Sequence, residues 1–283
     1  MYTFKIENHL GEIIDLSHDA RYRITSINGL NPVGANINTA TNANSDGSVF
    51  KSSRLNSRNI VVMLAIVEDV EASRINLYKF IKPKKPCIVY YSNGTRDVKI
   101  NGYVEKLECN FFQQTEVAQI SIICPFPLFR SSIDAEFEFS GSTAEFEFPF
   151  SIDSRGIVFS YLTPDGEQII NNPGDVETGI VIEFSATGQV ATPRIYNISA
   201  GTKMSIGGLP LVSGDLLRID TRRGQKSIVL IRNGSETNAL NYLSSDSEWI
   251  TLESGDNVLY YSAAQGLSNL SCRVFFDALY EGV

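Results

Sequence analysis

The chain has 283 residues, 43% of them hydrophobic and 10% aromatic, with a formal net charge of −8; this is enough apolar material for full cores and more chain than one core usually holds, so two domains are expected. The charge is uneven, with 15 Lys/Arg against 12 Asp/Glu in residues 1–130 and 9 against 20 in residues 131–283. The acidic second half excludes a nucleic-acid or anionic-membrane surface there, because phosphate binding needs clustered cations.

The opening segment MYTFKIENHLGE alternates apolar and polar residues and has no signal-peptide core, so the expectation is a chain made and folded in a cytoplasm. The longest apolar run, Ile60 to Val67, is eight residues and too short to span a bilayer, so no membrane partner is expected. Tyr2, Phe4 and Ile6 share one face of a first strand, Asn8 to Gly11 turns it towards a second at Glu12 to Leu16, and a third covers Arg21 to Asn28. A long polar connection follows from Asn31 to Ser53, with Asp46-Gly47 as its one strong turn signal. A segment of this length with so little apolar content is usually functional or disordered. This one runs directly into the strand Asn59 to Val67, so its ends are anchored on a core.

The spacing of Val70, Arg74, Leu77, Tyr78 and Ile81 predicts a helix over Glu68 to Ile81, with acids in the first turn, lysines near the end and Pro83 as the stop. A strand at Cys87 to Tyr91, the hairpin signal Ser92-Asn93-Gly94, and strands at Arg96 to Ile100, Gly102 to Phe112 and Val117 to Cys124 complete the half. Residues 1–130 therefore read as an antiparallel β-barrel or split barrel with one helix. Two prolines in Cys124-Pro125-Phe126-Pro127 cannot sit in a central strand and mark the boundary. Beyond it, turn signals recur every 8 to 12 residues, from Pro164-Asp165-Gly166 to Ser254-Gly255-Asp256, which predicts an all-β sandwich over 131–283.

Few residues offer chemistry. His9 and His18 are the only histidines and lie in the opening strands, and there is no phosphate loop or dinucleotide fingerprint, so neither an enzyme nor a cofactor or metal site is expected. Cys87, Cys109, Cys124 and Cys272 show no Cys-x-x-Cys spacing and read as reduced core or strand residues. The segment Asp134 to Phe148 holds two Glu-Phe-Glu-Phe repeats. Were Ser140 to Thr143 a hairpin loop, Glu138 would face Glu145 and Glu136 would face Glu147, a set suited to Ca²⁺ or to a glycosidase acid pair. Opposed like charges destabilise a hairpin, so these strands are expected to pair elsewhere or to meet a neighbouring subunit's cations, the plainer reading being an amphipathic strand pair with a solvated acidic face. Trp249, the only Trp, and Tyr242 are the candidates for glycan or partner contact, each equally suited to packing.

Gly29-Leu30, the long connection, Asp46-Gly47, Arg54 or Arg58, and the apolar strand Ile60 to Leu64 resemble the distal tail protein family of long-tailed bacteriophages, the siphovirus-type tail component. The exit VEKLECNFFQQTEVAQISIICPFPLFR resembles the end of that family's first domain, and EFSATGQVATPRIYN, GDLLRIDTRRGQKSIVL, SEWITLESGDNVLYYSA and CRVFFDALYEGV resemble its galectin-like, or carbohydrate-module-like, second sandwich. The resemblance implies a virion protein at the distal end of the tail, a baseplate hub forming a homohexameric ring with a DNA-passing channel. Its implied partners are the major tail tube protein, the tape measure protein, a tail-associated hub or lysin, and receptor-binding proteins. On that reading Asn36, Asn38, Asp46, Gly47, Arg54, Arg58 and Ile60 form the contact between subunits, by strand addition at the Asn59 strand. The alternative is a carbohydrate-binding adhesion module in which Trp249 acts alone.

Overall fold

The computed structural model describes residues 2–41, 46–111, 115–132, 135–138, 142–143, 161–162 and 167–283. Two compact units result: Met1–Ile133 joined by Leu279–Val283, and Asp134–Ala278. The boundary expected at 130/131 thus falls three residues later, and the last five residues, assigned from sequence to the second domain, belong to the first.

The first unit contains β1 (Thr3–Glu7), β2 (Ile13–Asp15), β3 (Tyr22–Asn28), β4 (Ala35–Ala40), β5 (Val49–Leu55), β6 (Arg58–Ile66), helix α1 (Val70–Phe80), β7 (Pro86–Ser92), β8 (Asp97–Cys109), β9 (Glu116–Cys124) and β10 (Phe129–Ser131). Its main sheet is antiparallel and runs β2-β1-β7-β8-β9-β6-β3, with β10 beside the start of β8. Since β2 and β3 end the path, the described pairings make an open, split sheet rather than a closed barrel. Alternation turns Phe4, Ile6, Ile60, Val62, Leu64, Ile120 and Ile122 inward, and α1 adds Leu77 to the same core. The two strands expected between Arg96 and Phe112 are one. β8 pairs with β7 from Asp97 to Tyr103 and with β9 from Tyr103 to Cys109. Gly102 stands at this change of partner because a Cβ there would lie 2.5 Å from Ile122 Cγ2.

Helix α1 starts two residues later and ends one earlier than expected. Asp69, at φ 40°, precedes it, and Ser73 Oγ donates 2.7 Å to the Glu68 carbonyl. Its buried residues are Ser73, Arg74 and Leu77, whereas Val70 and Tyr78, expected to face the core, are exposed.

The second unit contains β11 (Ala135–Glu138), β12 (Ser142–Thr143), β13 (Tyr161–Leu162), β14 (Gln168–Asn172), β15 (Thr178–Gly179), β16 (Val181–Ala186), β17 (Ala191–Asn197), β18 (Thr202–Ser205), β19 (Leu216–Asp220), β20 (Ser227–Arg232), β21 (Ser235–Asn238), β22 (Thr251–Leu252), β23 (Gly255–Gln265) and β24 (Leu270–Phe276). One sheet runs β11-β24-β16-β19-β20-β21 and another β14-β23-β17-β18. Ile182, Phe184, Leu217, Ile219 and Val274 from the first meet Ile170, Ile195, Met204 and Leu259 from the second in one core, the packing of a sandwich. The acidic strand β11 pairs with β24. Glu138 stands opposite Arg273, Arg273 opposite Glu183, and Glu183 opposite Arg218. Arg218 and Arg273 hold the buried Glu183 carboxylate at 2.8 to 3.0 Å, and Arg273 also lies 3.6 Å from Glu136. Opposite charges thus face each other along this row, an arrangement that favours cross-strand pairing. Residues 144–160, with the second Glu-Phe repeat, and the turn signal Pro164-Asp165-Gly166 lie outside the described residues.

Candidate assembly interface

The polar connection of the sequence reading contains a β-hairpin. β4 and β5 pair with each other in a two-stranded sheet of their own, and Asn56 N donates 3.0 Å to the Gly34 carbonyl at its base. The register runs Ala35–Leu55, Asn36–Arg54, Ile37–Ser53, Asn38–Ser52, then shifts by one residue to Thr39–Phe50 and Ala40–Val49. Directly paired residues share a face and neighbours along a strand alternate. Asn36, Asn38, Ser52 and Arg54 therefore lie on one face, where Asn38 Nδ2 donates 3.0 Å to Ser52 Oγ. Ala35, Ile37, Thr39, Phe50, Ser53 and Leu55 lie on the other. The extra residue in β5 is what brings Phe50 onto the face of Leu55 and Ile37.

That second face is apolar and uncovered. Ile37 is 60% exposed, Phe50 61% and Leu55 42%. An isolated two-stranded hairpin is marginal in water, so an arm of this kind gains its order from a surface laid against it. Of the residues expected at the contact, Asn36, Asn38, Arg54, Asp46 and Gly47 are on the arm and exposed, the last with φ +85°. Ile37, Phe50 and Leu55 were missed. The inserted residue breaks the alternation by which Phe50 and Leu55 would read as one strand face.

Arg58 and Ile60 are corrected. Ile60 is wholly buried in the core of the first unit, and β6 is paired with β9 along its length and with β3 from Val61 to Ile66, which leaves no open edge along that stretch for strand addition. Arg58 is 1% exposed. Its Nε donates 2.6 Å to the Pro127 carbonyl, Nη1 2.5 and 2.7 Å to the carbonyls of Gly29 and Asn31, and Nη2 2.6 Å to that of Glu281. The guanidinium stacks 4.3 Å from the Phe129 ring centroid. Burial pushes its pKa down, which the carbonyl oxygens offset by satisfying the donors. One cation thus ties the root of the arm (Gly29, Asn31), the exit of the first unit (Pro127) and the returning tail.

The tail makes further bonds. β25 (Leu279–Tyr280) pairs with β10, Arg96 donates to the Gly282 carbonyl and stacks 4.6 Å from the Tyr280 ring, and Val283 N donates 3.1 Å to the Leu30 carbonyl. Gly29, at φ +91°, is required at the root, since a Cβ there would lie 2.1 Å from the Asn59 carbonyl oxygen.

In the second unit Trp249 is half-buried against the sandwich core with the Lys226 ammonium 5.2 Å from its ring, and Tyr242 is exposed on a short 3₁₀ turn, Leu240–Tyr242. Among the described residues no group of three or more His, Cys, Asp or Glu is arranged to hold a metal ion. No helix of the described chain is long and apolar enough to cross a membrane.

A split antiparallel sheet with a projecting hairpin, followed by a two-sheet sandwich, is the architecture of a phage tail component. The family model for the phage tail protein RIFT-related domain matches residues 10–124, and that for the siphovirus-type tail component, C-terminal domain, matches residues 173–277. The chain belongs to this family, the distal tail (Dit) proteins of phage virions. A search of curated protein sequences finds no match. Among solved structures, the Dit protein of phage SPP1, described as a paradigm of the hub adsorption apparatus of phages infecting Gram-positive hosts, matches with TM-score 0.68 at 12% identity over 99% of both chains. Chains of the phage P2 baseplate in its activated conformation match with TM-scores of 0.55 (with Ca, 10% identity) and 0.54 (with Sr, 9% identity), each over 100% of both chains. At these identities the likeness establishes the fold. The protein is a structural component of the distal tail and baseplate.

Proposed function

We propose that this chain is a non-enzymatic hub whose copies associate side by side into a six-membered ring coaxial with the tail. The ring joins the tail tube and tape measure on one side to the tail-tip hub or lysin on the other, leaves a channel for DNA, and presents the sandwiches to receptor-binding proteins. The observation that carries this reading is the arm, whose apolar face is left uncovered among the described residues. Covering what remains exposed of Ile37, Phe50 and Leu55 favours an assembly by roughly 1 to 2 kcal/mol per side chain, repeated at each interface. The pinned root supports the same reading, because a docking arm must be held in a fixed direction before it meets its neighbour. Native mass spectrometry with negative-stain imaging tests it: a six-copy species with open-centred ring views is expected, and a chain that is monomeric at every concentration would refute it.

A further inference from the structure

We propose that the apolar face of the arm docks on helix α1 of the next copy, an inference that rests on the ring reading and names the two surfaces that meet. A ring of side-by-side copies needs a heterologous contact, with one patch donated and a different one receiving it. The arm is the donated patch. In the first unit, the largest gathering of other exposed apolar side chains is Val67, Val70, Ile75 and Tyr78, at and along α1. Ile75 and Tyr78 are three apart and lie on one helix face, with Glu71 four residues before Ile75 on the same side.

Charge selects this patch over its rival. Of the two cations of β5, Arg54 lies on the opposite face of the arm and Lys51 stands at the inserted position beside Phe50, while the start of α1 exposes Glu68, Asp69 and Glu71 within a few residues. The exposed pair Leu10 and Ile13 has acids that are already engaged: Glu12 accepts 2.8 Å from Asn8 Nδ2, and Asp15 lies 3.7 Å from Lys5. Lys51 and the acidic start of α1 are complementary, and opposite charges around an apolar contact set its register. Both patches are exposed in the same chain, so the arm does not cover its own helix.

The test uses the full chain with a benzophenone amino acid at Phe50, mixed with isotopically heavy wild-type copies, irradiated and mapped by peptide mass spectrometry. Crosslinks from light chains to heavy residues 67–81 are expected. Crosslinks to a different segment of a neighbour would overturn the helix as the receiving surface while the ring reading stood. An oligomer with no intermolecular crosslink would overturn the docking of the arm, and a monomer would overturn the ring reading together with this inference. A charge exchange gives an independent readout that leaves the Glu71–Arg74 pair in place. Lys51→Glu and Glu68→Lys should each lower the six-copy fraction severalfold, and the two together in one chain should restore it. Failure of the pair to restore a loss that each causes would contradict direct pairing of these surfaces.

Discussion

Arg58 Nη2 donates a 2.6 Å hydrogen bond to the carbonyl of Glu281, joining positions 223 residues apart. With three further carbonyls on the same guanidinium, a single side chain closes the first unit around the tail and fixes the root of the arm. Replacing it leaves four buried acceptors without a donor. Arg58→Met is expected to cost the first unit about 3 to 5 kcal/mol, and Arg58→Lys less, since an ammonium has three donors and no planar fork. The only Trp, Trp249, lies in the second unit. Urea unfolding followed by far-UV circular dichroism should therefore show an early transition that Trp fluorescence does not.

A chain ending at Ala278 loses β25 and the bonds from Arg58, Arg96 and Val283. An early first-unit transition, an unchanged Trp249 signal and faster hydrogen exchange at Gly29 to Asn31 are expected. Unchanged exchange at those amides would show that the tail does not hold the root.

Gly29→Ala places a methyl 2.1 Å from the Asn59 carbonyl oxygen at a positive φ, so backbone must move. The expected loss is more than about 1 kcal/mol, the scale of an unfavourable left-handed alanine. Gly47→Ala, also at positive φ but with nothing within 4 Å, should cost only that conformational part. Equal losses would contradict the close-approach argument.

The buried thiols give a pH signature. Burial raises Cys87 to about 12 and Cys124 to about 11 from an ordinary value of 9.0, and Cys109 and Cys272 are raised as well. Above pH 9 the unfolded chain loses these protons while the folded chain keeps them, so the unfolded state gains. Stability should be full below about pH 8.5 and fall as pH rises towards the folded values. A thiol reagent at pH 8 should label Cys109 first, since it alone is not buried, and the other three only on unfolding. Rapid native labelling of Cys87 would contradict this.

The strand Ile60 to Leu64, the helix, the Asn93-Gly94 hairpin and the sandwich were legible because each writes its burial into local spacing: period 2, period 3.6, or a turn pair between apolar runs. The arm was legible only as a long tethered segment. Every residue of β5 is exposed, so no inward face marks it as a strand, and the register shift scrambles its alternation. Arg58 read as part of the contact between subunits because nothing near it in sequence announces four carbonyls drawn from Gly29, Asn31, Pro127 and Glu281. The returning tail is equally silent, since its partners at Phe129 and Arg130 lie some 150 residues away and are chosen by the assembled fold.

The most direct measurement is native mass spectrometry of the wild-type chain beside Phe50→Ser. Taking away one Phe contact of about 2 kcal/mol weakens each interface roughly thirtyfold, and the loss recurs at every interface of the ring. The account predicts six copies for the wild type and, at the same concentration, a folded monomer with an unchanged circular dichroism spectrum for the variant. A six-copy species that persists in Phe50→Ser at all concentrations would contradict the arm as the joint of the ring.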